Sequence, residues 1–257
     1  MNYIIELAKL FSLSLGYGVF VFAPIAKSEL TGGGFQKLLS TIAVISLFCA
    51  ALLNIFNSIG PLSTENILIY ISIFAILFHR QLHDSFDKKN TVLWLLYLLP
   101  SFIGFVSIFY FRKSVLDYLF VASSIYYLGA ITYAMILGHW YLVTPKLSEK
   151  PLKIALYVTW AVFIPKLIWS GYEAYQAMDY LELGTRLGGG YSFNWMMFLM
   201  RAIWGYVIIF IMSLYTWKLV TMRSIQSATG ILYAMTIFVF IGELISGYLF
   251  FKFGLYI

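Results

Sequence analysis

The sequence predicts an all-α integral membrane protein, a polytopic helical bundle of about eight transmembrane helices. Three observations predict it. The chain is 61% hydrophobic and only 11% charged, whereas a soluble domain carries roughly 25% charged residues on its water-facing surface. Its apolar stretches are long: eight windows reach the roughly 20 residues that a helix needs to cross a hydrocarbon core about 30 Å thick. The basic residues then alternate from loop to loop, as the positive-inside rule requires of a multi-pass chain.

The windows are about 3–24, 35–56, 62–82, 91–111, 115–143, 152–175, 192–219 and 226–250. They are long and apolar throughout, unlike the short alternating strands of a membrane β-barrel. In lipid, backbone groups must bond within their own segment, so helices follow. Span one is expected to be retained. Met1 to Glu6 has no basic residue, and no small-residue cleavage site follows, so a secretory signal is not indicated.

One set of loops and flanks carries Lys27, Lys37, Arg80, Lys88, Lys89, Lys146, Lys150, Lys153, Lys218 and Arg223, while the other carries Arg112, Lys113, Arg186 and Lys252. The first, third, fifth and seventh loops are therefore expected in the cytoplasm, with both termini outside, in a membrane of the bacterial inner (plasma) type. The net charge of +6 reads as orientation. No basic stripe tracks a phosphate backbone, so nucleic acid is not an expected partner. The expected partners are the lipid bilayer and other membrane subunits. The longest connection, Gly171 to Tyr191, lies outside; its first half extends span six, and Gly188, Gly189 and Gly190 break it. No Lys-Ser/Thr follows those glycines, so a phosphate loop is not indicated.

Two passages suggest a duplicated four-helix unit, with halves 1–113 and 114–257 as parallel repeats within a single membrane domain. Leu15-Gly16-Tyr17 leading to Pro24 and Ser28-Glu29 matches Leu137-Gly138-His139 leading to Pro145 and Ser148-Glu149. Ile103-Gly104 leading to Phe111-Arg112-Lys113 matches Ile241-Gly242 leading to Phe250-Phe251-Lys252. In this register Tyr17 corresponds to His139 and Phe105 to Glu243, so ionisable groups concentrate in the second half.

The three histidines define one candidate site. His79 and His83 lie four apart on one face near the cytoplasmic end of span three, and His139 lies at similar depth in span five. Ser72 and Ala75 continue the face of His79, and Gly129 and Thr132 that of His139. Such small residues leave room either for a flat macrocycle or for close helix packing. His79 and His139 are the candidate axial ligands of a haem b, or of another metal. His83, beside Asp84, reads as a solvated interfacial residue. Cys49 stands alone in an apolar run and offers no disulfide or thiolate site.

Charges inside spans define the second candidate site. Each costs about 2.5–3.5 kcal/mol at mid-membrane on insertion scales, so Glu6, Lys9, Lys166, Arg201 and Glu243 need partners or a function. All five fall in the outer half, permitting one cluster between spans one, six, seven and eight. Span eight adds Gln226, Thr229, Tyr233 and Thr236 at helical spacing before Glu243, a polar face across much of the bilayer. Lys166, Arg201, Tyr233 and Glu243, with Trp169 and Trp204, are the candidate parts of a quinone headgroup pocket. Met196, Met197 and Met200 read as packing rather than a copper site.

These sites point to a membrane subunit of an electron-transfer complex that binds haem b, quinone or both. The alternatives are a transporter or ion or proton channel built on the charges of spans six to eight, and a structural or assembly subunit. Whether the chain is itself an enzyme is left open, since no nucleophile–base constellation and no nucleotide loop is present.

Overall fold

The structure, a computed structural model, describes residues 2–26, 31–86, 99, 100, 102–104, 106, 114–144, 147–181 and 191–257. These are helical apart from short turns, and no strand occurs among them. The helices are α1 (Asn2–Val21), α2 (Gly33–Phe56), α3 (Thr64–Phe86), α4 (Val115–Val143), α5 (Lys150–Gln176), α6 (Tyr191–Ala202), α7 (Ile208–Thr221) and α8 (Ile225–Phe253). Short 3-10 turns follow α1 at Ala23–Ile25 and α5 at Met178–Leu181, and a π-helical segment, Ile203–Val207, joins α6 to α7.

Among the described residues, six spans are long and apolar enough to cross a membrane: Tyr3–Ile25, Gly33–Phe56, Val115–Val143, Lys150–Gln176, Ser192–Thr221 and Ile225–Phe253. The third expected window folds as α3, whose 23 residues suffice in length but whose Glu65, His79, Arg80, His83 and Asp84 dilute its apolar character. The fourth window lies outside the described residues except for 99, 100, 102–104 and 106, which are helical. The Gly188–Gly190 run and Arg186 also lie outside them. Span six continues one residue beyond its window, to Gln176, and Asp179, expected on its extension, lies in the 3-10 turn Met178–Leu181 that follows.

Interhelical contacts set the directions. Tyr17 bonds Ser72 and Lys9 pairs with Glu65, so α3 runs parallel to α1. Ser14 and Ser124 share one cavity, and Trp140 reaches Thr31 beyond the end of α1, so α4 is parallel to α1 as well. Asn57 bonds Glu6, and Thr229 and Tyr233 bond Gly138 and His139, so α2 and α8 run the other way. These are the directions that the order of the windows assigns to them.

At the centre stand α1, α4 and α8. In α4, 72% of the apolar window is buried against other helices, against 28% for Ser192–Thr221, which places the former inside and the latter at the periphery. Phe74, Ile168, Tyr175 and Ile237 point outward, a surface suited to lipid. Without a hydrophobic drive between helices in lipid, close packing and polar bonds hold them together. Gly18 and Gly129 supply the closest crossing: a Cβ on Gly129 would lie 2.3 Å from the carbonyl carbon of Gly18. Asn54 donates to Asn66 at 3.0 Å between α2 and α3.

The matched glycines of the suggested repeat make different contacts. Gly16 packs on Leu47 of α2, but Gly138 packs on Leu232 and Thr229 of α8. Gly104 faces the ring of Tyr17, whereas Gly242 faces Gly205 and Arg201.

The glycine crossing makes a prediction. Gly129→Val forces α1 and α4 apart and should destabilise the bundle by about 1–3 kcal/mol, the usual cost of overpacking. Thermal unfolding in detergent measures it, and unchanged stability would contradict the crossing.

Candidate functional site

The five membrane-embedded charges form two clusters rather than one. Near the N-terminal end of α1, Lys9 pairs with Glu6 at 2.9 Å and with Glu65 of α3 at 3.3 Å, and Asn57 donates to Glu6 at 2.7 Å. Glu65 claims Lys9 for the first three helices, which separates it from the charges of the second half. The other cluster joins α5, α6 and α8. Glu243 accepts from Arg201 Nη1 at 3.0 Å through one oxygen and from Lys166 Nζ at 3.3 Å through the other. All three side chains are at most 4% exposed.

Each member is placed by a local feature. Lys166 follows Pro165 inside α5; proline removes a ladder hydrogen bond from the preceding turn. Its Nζ also donates to Ser124 at 2.9 Å and Ser123 at 3.2 Å on α4, and sits 5.5 Å from the Phe120 ring centroid. Arg201 lies just before the π segment Ile203–Val207. On a regular α-helix Arg201 and Tyr206 would be about 140° apart. The wider π turn brings residues five apart onto one face, and here Arg201 Nη2 donates to the Tyr206 hydroxyl at 2.5 Å with Cζ 4.2 Å from its ring centroid. Tyr206 hydrogen-bonds Ser170 of α5 at 2.5 Å, and Tyr127 of α4 donates to the Gly205 carbonyl at 2.6 Å.

Gly205 and Gly242 make the space. A Cβ on Gly242 would lie 2.7 Å from Gly205 Cα, and one on Gly205 would lie 3.0 Å from Arg201 Nη1. The site thus has an anion between two cations and carries one positive charge in excess when all three are ionised. The guanidinium Nε is buried and has no hydrogen-bond partner among the described residues. Chemically, the cluster can hold an anion, stabilise a developing negative charge, or exchange a proton.

Of the residues expected in this pocket, Tyr233 is not there. It is 41% exposed, ten residues along α8 from Glu243, and bonds His139 Nδ1 at 2.5 Å. The polar face of span eight divides: Thr229, Thr236 and Glu243 are buried, while Gln226 and Tyr233 are exposed, because positions seven apart keep one direction and their neighbours turn away. Trp169 donates to Glu173, and Trp204 packs on Phe238. Tyr206, Tyr127, Ser124 and Ser170, which complete the cluster, carry no charge that marks them in an apolar span. The Gly205–Gly242 pair was the signal available for their neighbourhood.

The histidines do not meet. His79 is buried and packs edge-on against Phe20 of α1, while His139 is exposed and bonds Tyr233 of α8. Of the small residues beneath them, Ser72 bonds Tyr17 and Gly129 packs on Gly18. The side chain of His83 lies outside the described residues. Among the described residues no group of three or more His, Cys, Asp or Glu is arranged to hold a metal. The methionines of α6 line lipid-open apolar grooves: Met196 one, Met197 another and Met200 both.

Outside the spans, Glu149 ties the start of α5 to the turn after α7, through Arg223 at 3.4 Å and Lys153 at 3.5 Å. Its own backbone N–H, with these cations, holds its carboxyl below the usual range.

The charge excess predicts an asymmetry. Glu243→Gln leaves two buried cations facing each other and should cost about 3–5 kcal/mol, the range for breaking a buried pair. Lys166→Met leaves a neutral Arg201–Glu243 pair and should cost far less. Equal losses in thermal stability would contradict this account of the triad.

Compared with family models, with characterised proteins and with solved structures, the chain matches none.

Proposed function

We propose that this chain is a multi-pass protein of a bacterial inner membrane that moves protons, alone or with an ion, through a polar path centred on Lys166, Glu243 and Arg201. The observation that carries the reading is the uncompensated positive charge enclosed among α5, α6 and α8. A lock between helices works with charges that cancel; here the second cation ties α5 and α4 to Glu243 but leaves a buried net charge, which adds cost that neutral donors would not. A group that gains and loses a proton explains the imbalance. Pro165 and the π segment flank the cluster, and such interruptions of helix geometry recur at functional sites. Thr236 and Thr229 continue the buried polar row of α8 toward its inner end. Eight spans, in halves 1–113 and 114–257 with both termini outside, belong to this reading.

A second reading, an electron-transfer subunit that binds quinone, is favoured by a separate observation. An apolar groove lined by Phe193, Met197, Met200, Ile241 and Leu244 runs between α6 and α8, open to lipid beside the residues that bear Arg201 and Glu243. An isoprenoid tail fits such a groove, and the donors of Lys166 and Arg201 suit quinone carbonyl oxygens. Other membrane subunits would then be its partners. A haem b held by His79 and His139 requires both rings to face one cleft, and they face different helices.

Proteoliposomes with an internal pH dye discriminate among these readings. Wild-type protein should pass protons under an imposed gradient, and Lys166→Met, which spares stability, should abolish most of that flux. Undiminished flux in Lys166→Met would overturn the transport reading. Quinone that co-purifies with wild type and is lost in Arg201→Gln would establish the second. Neither flux nor cofactor, with only lower thermal stability in the variants, would leave a structural role.

Sidedness has its own test. In a Cys49→Ser background, Asp179→Cys should react with an impermeant maleimide on intact cells, and Ser148→Cys only after permeabilisation. The reverse pattern would invert the orientation.

A further inference from the structure

We propose that Lys166, rather than Glu243, is the member of the triad that releases and rebinds a proton, through a water held in the cavity between α1, α4 and α8. The inference rests on the proton-transport reading of the same site and names the group that does the work.

Charge arithmetic comes first. Lys166 and Arg201 contribute two positive charges and Glu243 one negative, a sum of +1. Arginine stays protonated in proteins. Protonating Glu243, between cations at 3.0 and 3.3 Å, would raise the buried charge to +2. Removing a proton from Lys166 brings it to zero. The low-dielectric interior favours the smaller charge, and a buried lysine is the side chain that yields to it.

Hydrogen bonding supports the same choice. As an ammonium, Lys166 has three donors and three acceptors in reach, Ser123, Ser124 and Glu243. As an amine it has two donors and one lone pair, and it needs a donor in return. Ser123 already gives its proton to the Phe120 carbonyl, so Ser124, whose hydroxyl also reaches the Glu243 carboxylate, is the one that turns to Nζ. When the proton leaves, the electron pair stays on Nζ and accepts the Ser124 O–H. Both protonation states are then satisfied without moving a helix.

The neighbours leave no rival base. From α4, Phe120 and Tyr127 present ring faces to Nζ at 5.5 and 5.7 Å. From α5 and the π segment, Ser170 and Tyr206 engage each other and Arg201. From α1 the nearest polar group is Ser14, since Glu6 and Lys9 are engaged with Asn57 and Glu65 at the outer end.

The cavity provides the way out. Leu7, Leu10 and Leu128 form apolar walls, and Ser14, Ser124 and Glu243 are the polar groups that face it. Ser14 Oγ is buried with no hydrogen-bond partner among the described residues. The space suits about one water, and three polar partners are the usual number for a buried water. That water joins Ser14 to Ser124; Ser124 takes the Nζ proton as it passes its own hydroxyl proton to the water, which relays it toward bulk water.

Solid-state NMR of the whole protein in lipid bilayers, with lysine 15N-labelled at the side chain, tests this. Between about pH 6 and pH 10, bracketing a perturbed lysine, one side-chain signal should pass reversibly from ammonium to amine, and it should be missing in Lys166→Arg. Ammonium signals from every lysine throughout, or a switching signal that survives Lys166→Arg, would overturn the proposal. Ser124→Ala guards against misfolding of the first variant. It removes the acceptor of a charged N–H donor as well as the donor to the amine; the charge-assisted bond is the stronger of the two, so the transition should move to lower pH, and an unmoved transition would overturn the part given to Ser124. Flux measured on the same membranes separates the two claims. A switching Lys166 without flux upholds this inference and defeats the transport reading; flux lost in Lys166→Arg with no switching lysine does the opposite.

Discussion

Glu243 is the point on which the second half of the bundle closes. Its two oxygens accept from different helices, Lys166 on α5 and Arg201 on α6, and Lys166 reaches on to Ser123 and Ser124 of α4. One carboxylate thereby couples four helices at one depth. In lipid, where apolar faces gain little by meeting each other, such a polar hub sets helix positions that packing alone leaves loose. The surroundings follow from it. Gly205 and Gly242 are glycines because the guanidinium occupies the space a side chain would need, and Tyr206 stacks on Arg201 because the π segment turns it there.

The first half is organised differently. Its charges sit near the N-terminal end of α1, around Lys9, Glu6 and Glu65, beside the Asn54–Asn66 bond, and further along α1 the helices meet through Tyr17 and Ser72. The two halves join where backbone touches backbone at Gly18 and Gly129.

Much of this was legible in the sequence, for a physical reason. A charge inside an apolar run has no alternative to being noticed, so Lys166, Arg201 and Glu243 were identified as a group, and apolar length fixed the helical class. The rest depended on quantities that one helix cannot display. Lys9 was grouped with the triad because Glu65 lay in a different window and its pairing is tertiary. Spacings of three and four put Tyr233 on a broad polar face with Glu243, but the ten residues between them turn it about 80° away, onto the exposed row of that face. His79 and His139 shared a depth but not a neighbour. Tyr206 was missed because regular helix geometry points it away from Arg201.

The π segment at Ile203–Val207 has a further consequence. One residue inserted into a helix rotates everything after it by about 100°. Tolerance to substitution along Ser192–Thr221 should therefore not follow a single period. Sensitive positions before Ala202 keep one phase, and those after Ile208 keep another, offset by that inserted residue. A homologue that lacked the insertion could retain every charge of the triad and still present its Tyr206 equivalent to lipid. In this span, then, the unit that must be inherited intact is a count of residues as much as their identities.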